Sequence, residues 1–132
     1  MNDCLFCKII KGDIPSYKVY EDDKVLAFLD VNPNSDGHTL VIPKEHYENL
    51  FSTPNEVITY MIDTIKTKIY PILKEKLNID GLTICQNNDY GQDVKHYHIH
   101  LIPRYNSDSF KCTYDSSEVS DIKDVYEKLK TE

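Results

Sequence analysis

Three of the five histidines of the chain fall within five residues, as His96, His98 and His100. In an extended strand, alternate side chains point to the same face, so this spacing puts the three imidazoles in one row. A helix would scatter the rings around its axis, and the neighbouring residues with the closing Pro103 are typical of a strand. Successive rings would lie roughly 6.6 Å apart, so the outer pair cannot easily hold one small ion. The spacing therefore predicts three histidines with divided roles.

A row of imidazoles is a costly way to build a core, because each buried ring needs hydrogen-bond partners. The residues alone leave two chemical interpretations open. In one, a neutral imidazole is a nucleophile or general base that its neighbours orient. In the other, two histidines of this strand and a third from elsewhere hold a catalytic zinc ion. Asn87, Gly91 and Gln92 precede the row, and such residues suit close contact with phosphate oxygens but are also ordinary in turns.

Cys4 and Cys7 form a pair separated by two residues. In a reducing compartment, this spacing more often binds metal or does redox chemistry than it forms a static disulfide. Cys85 lies in an apolar run and is typical of a small buried side chain. The cysteines therefore indicate a possible metal site at the start of the chain.

Length and charge limit the classes of function. The chain has 132 residues, enough for one domain, and a formal net charge of −7 at pH 7. This acidic balance argues against binding a nucleic-acid polymer, which needs an extended basic surface. No apolar run approaches the ~20 residues of a membrane span, and the first residues lack the pattern of a secretory signal. We expect a cytoplasmic protein without a membrane partner.

The pattern of apolar residues predicts an α+β fold, with a five-stranded antiparallel sheet, one long helix and a short N-terminal helix. Strands are expected at residues 17–20, 24–30, 38–43 and 81–86 and at the histidine row. Helical spacing predicts a short helix at 4–10, the long helix from 53 to 77 with a break near Pro71, and a polar helix at 120–130. Strands before and after one long helix, without βαβ alternation, favour the antiparallel arrangement.

The sequence of residues 96–102, HYHIHLI, resembles the signature of the histidine-triad (HIT) family, in which histidines alternate with apolar residues. Three further segments match the family in order and spacing: CLFCKIIKGDIP at 4–15, VLAFLD at 25–30 and GHTLVIPKEH at 37–46. The resemblance is closest to the Hint branch of nucleoside phosphoramidate hydrolases and nucleotide-binding proteins. It implies a HIT domain over residues 1–105, a C-terminal extension with a short helix over 106–132, and a homodimer whose sheet is continuous across both chains.

The resemblance also implies roles for individual residues. His98 would attack the α-phosphorus of a phosphoramidate or related conjugate of a purine nucleotide, giving a nucleotidyl-histidine that water hydrolyses. His38 and His100 would support this attack, and Gln92 would bind the phosphate or the leaving group. Asp30 would accept from the ribose hydroxyls. The remaining substrate contacts would come from Phe6, Ile9, Phe28, Leu29 and Val31 around the base, and from Asn87, Gly91 and Asp93 near the phosphate.

Four residues match the positions that bind structural zinc in those HIT relatives that carry it. They are Cys4, Cys7, His46 and His96. Two thiolates and two imidazoles would close a tetrahedral shell and leave no position for water, which is typical of a structural site.

Two features depart from the family pattern. The turn before Gly91 is short, and Asp93 stands where a small hydroxyl residue is usual. A carboxylate beside a phosphate repels it unless it is turned away or paired, so turnover of anionic substrates could be altered. Two alternatives to a covalent hydrolase therefore stay open. One is a nucleotide-binding adaptor with little turnover, and the other is a hydrolase with zinc held by His38, His98 and His100.

Overall fold

A five-stranded antiparallel sheet forms the centre of the structure, a computed structural model that describes residues 3–130. The strands are β1 (Lys18–Glu21), β2 (Val25–Leu29), β3 (Thr39–Pro43), β4 (Gly81–Cys85) and β5 (Ile99–Arg104). Their order across the sheet is β1-β2-β3-β5-β4, so β5 lies between β3 and β4. Every neighbouring pair is antiparallel, which confirms the predicted fold class.

The long helix packs on one face of this sheet. It consists of α2 (Asn55–Thr64), a π-helical segment (Ile65–Ile69) and α3 (Tyr70–Leu77), which follow one another without a gap. Pro71 lacks an N–H, and in an α-helix its ring would clash with the carbonyl four residues back. The wider π turn just before it avoids that geometry. The expected break near Pro71 therefore takes the form of a π-helical segment.

Strand alternation divides the apolar residues between two cores. Val25, Ala27 and Val41 point toward the long helix, together with Ile99 and Leu101 of β5. The opposite face is covered by α1 (Leu5–Lys11), which ends at Gly12. Its buried side chains pack against alternate residues of β2 and β3 in a second cluster, which contains Phe6, Ile9, Leu26, Phe28, Leu40 and Ile42. The histidine row lies on this second face.

The histidine row is only partly a strand, which corrects the sequence prediction. Strand β5 begins at Ile99, so His96 and His98 precede it. The ladder to β3 starts at Ile99, whereas the N–H of Tyr97 donates to the carbonyl of Tyr47, outside the sheet, at 2.7 Å. Side chains nevertheless alternate through this segment, since Tyr97 packs in the helix-side core while both histidine rings contact Phe6.

The C-terminal extension carries a short 3-10 turn (Ser116–Glu118) and α4 (Ile122–Leu129), which is exposed along its length. The final two positions of the predicted extension, 131 and 132, lie outside the described residues. Within residues 3–130, no helix has both the length and the apolar character needed to span a membrane.

The entry into β3 depends on a glycine with positive φ. Gly37 has φ 90°, and a Cβ there would lie 2.5 Å from Cδ1 of Leu77 and 3.2 Å from Cγ of Pro103. We expect Gly37→Ala to lower the free energy of unfolding by about 2 kcal/mol, because the positive φ strains the backbone and Pro103 must shift slightly, whereas the exposed end of Leu77 can move away. Chemical denaturation measures this loss.

Gly12 supplies the matched control. It has φ 89°, but a Cβ there would meet nothing within 4 Å. Gly12→Ala should therefore lose only the backbone contribution, about 1 kcal/mol. Equal losses in the two variants would contradict the role given to crowding at Gly37.

Candidate functional site

Three histidines from two strand segments meet on the face that α1 covers. His100 in β5 lies opposite Leu40 in β3, and His38 is two residues before Leu40, so both histidines point to this face. Nε2 of His38 lies 3.0 Å from Nδ1 of His100. The ring centre of His98 is 5.0 Å from that of His100. The structure thus brings together the three histidines that the sequence assigned to catalysis.

Hydrogen-bond partners fix the tautomer of each ring. The backbone N–H of Asn34 donates to Nδ1 of His38 at 3.0 Å, so the proton of neutral His38 is on Nε2. That Nε2–H donates to Nδ1 of His100, which leaves the proton of His100 on its own Nε2. In His98, Nδ1–H donates to the carbonyl of His96 at 2.7 Å. Nε2 of His98 therefore carries a free lone pair, while His100 offers an N–H donor.

Burial keeps these rings neutral. Only 3% of His38 and 4% of His98 are exposed, and desolvation lowers the pKa of each, as it does that of His100. The Asp30 carboxylate, whose Oδ2 lies 3.6 Å from Nε2 of His38, partly opposes the shift in all three pKa values. A neutral imidazole is the form that can act as a nucleophile.

A cavity of about 250 Å³ opens onto His98 and His100. One part of its wall is apolar, and there the ring of Phe6 stands edge-on to His98 at 5.0 Å and to Phe28 at 5.4 Å. The sequence-predicted residues that line this cavity are Phe6, Ile9, Phe28, Leu29, Asp30, Val31, Asp93, His98 and His100. Such a wall, apolar with a few polar groups, suits a flat aromatic base joined to a polar moiety.

Some residues that line the cavity or hold its histidines were not predicted from the sequence. Leu40 lines the cavity, and the period-two spacing from His38 was a signal that could have found it. Ser16 and Tyr17 also line the cavity, just before β1. The N–H of Asn34 acts through the backbone, so its residue type carries no signal of that role.

Three predicted substrate contacts do not line this cavity: Asn87, Gly91 and Gln92. Gln92 is buried, and its Nε2 donates to the carbonyls of Glu48 and Val94 at 2.7 and 3.0 Å. Its Oε1 accepts from the N–H of Asp89 at 3.0 Å. A buried amide needs such partners, and here the short turn before the histidines and the carbonyl of Glu48 supply them. Contact between Gln92 and a phosphate stays a prediction and requires the side chain to leave these partners.

A separate cluster gathers the four predicted metal ligands, Cys4, Cys7, His46 and His96. Nδ1 of His96 lies 3.4 Å from Sγ of Cys4, 3.6 Å from Sγ of Cys7 and 3.1 Å from Nδ1 of His46. In a tetrahedral zinc site the bond lengths imply sulfur–nitrogen separations of about 3.6 Å and nitrogen–nitrogen separations of about 3.3 Å. The four atoms are therefore spaced as ligands of one such ion would be.

The groups around the cluster determine the protonation states of its ligands. Nε2–H of His96 donates to the carbonyl of Pro43 at 2.9 Å, so Nδ1 of the neutral ring carries the lone pair. Burial lowers the pKa of His96 to about 4, which keeps that ring neutral. The N–H of Cys7 donates to Sγ of Cys4 at 3.3 Å. Burial raises the pKa of the Cys7 thiol to about 11 without metal, so an ion must displace its proton to bind.

Comparisons with known proteins identify the family of the chain. A family model described as HIT domain matches residues 11–107. An uncharacterized HIT-like protein of Methanocaldococcus jannaschii is 45% identical over 129 residues, which cover 96% of this chain and 98% of that protein. The adenosine 5'-monophosphoramidase of Candida albicans is 36% identical over 138 residues, covering 98% and 90%.

A solved structure is also similar. It is the crystal structure of a zinc-bound histidine triad family protein from Mycobacterium smegmatis, with a TM-score of 0.78 and 38% sequence identity. The match covers 86% of this chain and 84% of that chain. With three histidines on one sheet face, a matching domain model and relatives along nearly its whole length, the chain belongs to the histidine-triad (HIT) family.

Proposed function

We propose that the protein is a nucleotidyl hydrolase that cleaves nucleoside phosphoramidates through a covalent bond to His98. The observation that carries this proposal is the hydrogen bond from Nδ1–H of His98 to the carbonyl of His96. It leaves the lone pair on Nε2, in a ring that burial keeps neutral and that lines a cavity. A nucleophile, a donor and a binding cavity therefore lie side by side.

In the first step, Nε2 of His98 forms a bond to the α-phosphorus and the bond from phosphorus to the leaving amine breaks. The amine nitrogen keeps the bonding pair and takes a proton from solvent, while neutral His100 keeps its Nε2–H as a hydrogen-bond donor. In the second step, a water oxygen bonds to phosphorus, the electron pair of the histidine–phosphorus bond returns to Nε2, and one water proton is released to solvent. The N–H of His100 also suits stabilisation of charge on a phosphoryl oxygen.

The substrate side of the proposal rests on the cavity lining. Phe6 and Phe28 offer aromatic surface for a purine, and Asp30 offers a carboxylate oxygen for ribose hydroxyls. The Candida albicans relative, named as an adenosine 5'-monophosphoramidase, supports the choice of an adenine nucleotide. We therefore place the base against α1 and β2 and the α-phosphate at the histidines.

Two alternatives are weighed against specific contacts. A nucleotide-binding adaptor with little turnover is favoured by Gln92, whose amide is engaged away from the cavity. A zinc-dependent hydrolase would draw on His38 and His100, which with Asp30 form a second group of closely spaced ligand atoms. Its ligand nitrogen on His38 would be Nε2, which carries a proton because Nδ1 accepts from the N–H of Asn34. This tautomer favours the metal-independent nucleophile.

We also propose that Cys4, Cys7, His46 and His96 hold a structural zinc ion. When bound, the ion would supply a cross-link between α1, the segment after β3 and the segment before β5. The spacing of the four ligand atoms and the zinc-bound relative from Mycobacterium smegmatis support this assignment.

A homodimer is part of the proposed working form. Among residues 3–130, strand β4 pairs with β5 alone, so its other edge is open to a second copy and the sheet could continue across the pair. Ile84 on this strand is 54% exposed, which gives that edge an apolar side chain to bury. A cytoplasmic location stays a prediction from the sequence.

Replacement of the nucleophile tests the covalent step. We expect His98→Ala to lower kcat/KM for a fluorogenic adenosine phosphoramidate by at least about 10³-fold, because neither His38 nor His100 offers the same free lone pair. Single-turnover reactions quenched in acid and examined by intact mass should show a nucleotidyl adduct on His98 in the wild-type protein only. Calorimetric titration with AMP is the control, and affinity within about threefold of wild type would show an intact cavity. Full activity in the variant would overturn the mechanism, and binding without adduct or product in the wild type would favour the adaptor.

The pH dependence follows from His38 and His100, whose pKa values burial holds below the ordinary 6.5. Protonation of Nδ1 in His38 would break the hydrogen bond from Asn34. We expect kcat/KM to stay level from pH 8 to below 6.5 and to fall only at lower pH. Asp30→Asn should move this fall in kcat/KM to still lower pH, because the Asp30 carboxylate stabilises the protonated form of both rings. Circular dichroism at each pH checks the fold. A fall in kcat/KM that begins above pH 6.5 would contradict the assignment of neutral rings.

Zinc content tests the metal cluster. We expect Cys7→Ser to reduce bound zinc from about one ion per chain to near zero, and to lower the melting temperature by about 5–10 °C, because the cross-link is lost. Elemental mass spectrometry and thermal unfolding measure the two effects. Cys112→Ser is the matched control, since that thiol is exposed and lies outside the cluster. Equal zinc content in both variants would rule out this ligand set.

A further inference from the structure

The cavity at His98 and His100 has an unusual charge balance for a site that handles phosphates. Among the described residues that line it, Asp30 and Asp93 are acidic and none is a lysine or an arginine. The ring of His100 is kept neutral by burial. Proteins usually bind multiply charged phosphates through Lys or Arg side chains. This lining therefore suits a substrate with a single negative charge at phosphorus.

Asp93 lies between two neighbouring cavities. It lines the histidine cavity and also a neighbouring cavity of about 520 Å³ beside the metal cluster. Leu5 and Val94 line both cavities as well. The second cavity contains two further carboxylates, of Asp3 and Glu48, and one ammonium group, that of Lys95. A leaving group that extends from the phosphate past Asp93 would enter this mainly acidic space.

The two carboxylates of the histidine cavity differ in their partners. Oδ1 of Asp30 accepts from the N–H of Asn32 at 2.8 Å, and its Oδ2 faces His38. For Asp93, no hydrogen bond or ion pair is formed with any residue in the 3–130 range. Its carboxylate lines the same cavity as His98 and His100. Asp93 thus offers, within the described part of the chain, a negative charge without an ion-pair partner beside the reacting groups.

We propose that Asp93 is a specificity-determining residue that selects phosphoramidates whose leaving amine carries a second, cationic group. This inference rests on the proposed function and narrows its substrate class. A cation on the leaving group would pair with the Asp93 carboxylate, whereas a carboxylate, sulfate or further phosphate there would be repelled. Because Asp93 is exposed, the preference is modest, roughly three- to tenfold for the cation over a neutral group, and it weakens as salt rises.

Three adenosine 5'-phosphoramidates of similar size test this selectivity. Their leaving amines are 1,2-diaminoethane, 2-methoxyethylamine and glycine, which carry a cationic, a neutral and an anionic terminus. The measurement is kcat/KM at pH 7.5, at low ionic strength and again in 0.5 M sodium chloride. We expect the wild-type protein to rank them cationic, neutral, anionic, with differences that shrink at high salt.

Two variants with the same change in net charge separate a local from a general effect. Asp93→Asn should bring the ratio of kcat/KM for the cationic substrate to kcat/KM for the anionic substrate at least about fivefold closer to one. Glu75→Gln, on the exposed side of α3 across the sheet, should keep the wild-type ratio. The ratio is the readout because a merely structural loss at Asp93 would lower all three rates together.

Each outcome decides the matter. A wild-type protein that hydrolyses all three substrates equally, or an Asp93→Asn variant that keeps the wild-type ratio, would overturn the inference and leave the proposed hydrolase intact. If the kcat/KM ratio falls equally in Glu75→Gln, the selectivity comes from net charge, and the inference about Asp93 is overturned. If the wild-type protein hydrolyses none of the three, the proposed function itself fails, and the inference fails with it.

Discussion

The hydrogen bond from Nδ1–H of His98 to the carbonyl of His96 is the interaction on which the rest of the site depends. His96 is fully buried, and its ring is held at both nitrogens, by the carbonyl of Pro43 and by the cysteine–histidine cluster. Its backbone carbonyl is therefore fixed in space, and with it the tautomer of His98. In the proposed function, the two histidines would therefore have different roles: the ring of His96 holds the chain in place, and its carbonyl fixes the tautomer of His98.

Burial of these rings is possible because each has a partner. An unpaired imidazole in an apolar environment would cost free energy, but here backbone groups of Pro43, His96 and Asn34 bond to the three most buried histidines. Desolvation then favours the neutral form, which is the form that can attack phosphorus or bind a metal. The two packed faces of the sheet supply this burial. The long helix fills one face, and α1 with Phe6 closes the other over the histidines.

Much of this arrangement follows from sequence patterns with a short range. The period-two spacing of the histidines predicted their shared face, and it holds even where His96 and His98 precede β5. The start of β5 was wrong in the prediction because Tyr97 bonds to Tyr47, a partner about fifty residues away that no local pattern reveals. The inward position of Gln92 depends likewise on a carbonyl distant in sequence, that of Glu48.

The lack of cationic side chains among the described residues of the cavity determines which groups could stabilise negative charge on a phosphoryl oxygen in the proposed reaction. With neutral rings and no lysine or arginine among the described lining residues, the groups able to face a phosphoryl oxygen are N–H donors such as Nε2–H of His100. Donors fixed by backbone contacts need no reorganisation, whereas a mobile surface cation would also attract competing anions. The chain from the N–H of Asn34 through His38 to His100 sets the direction of that donor. In the proposed reaction, the loop before β3 would therefore contribute to catalysis through the backbone amide of Asn34.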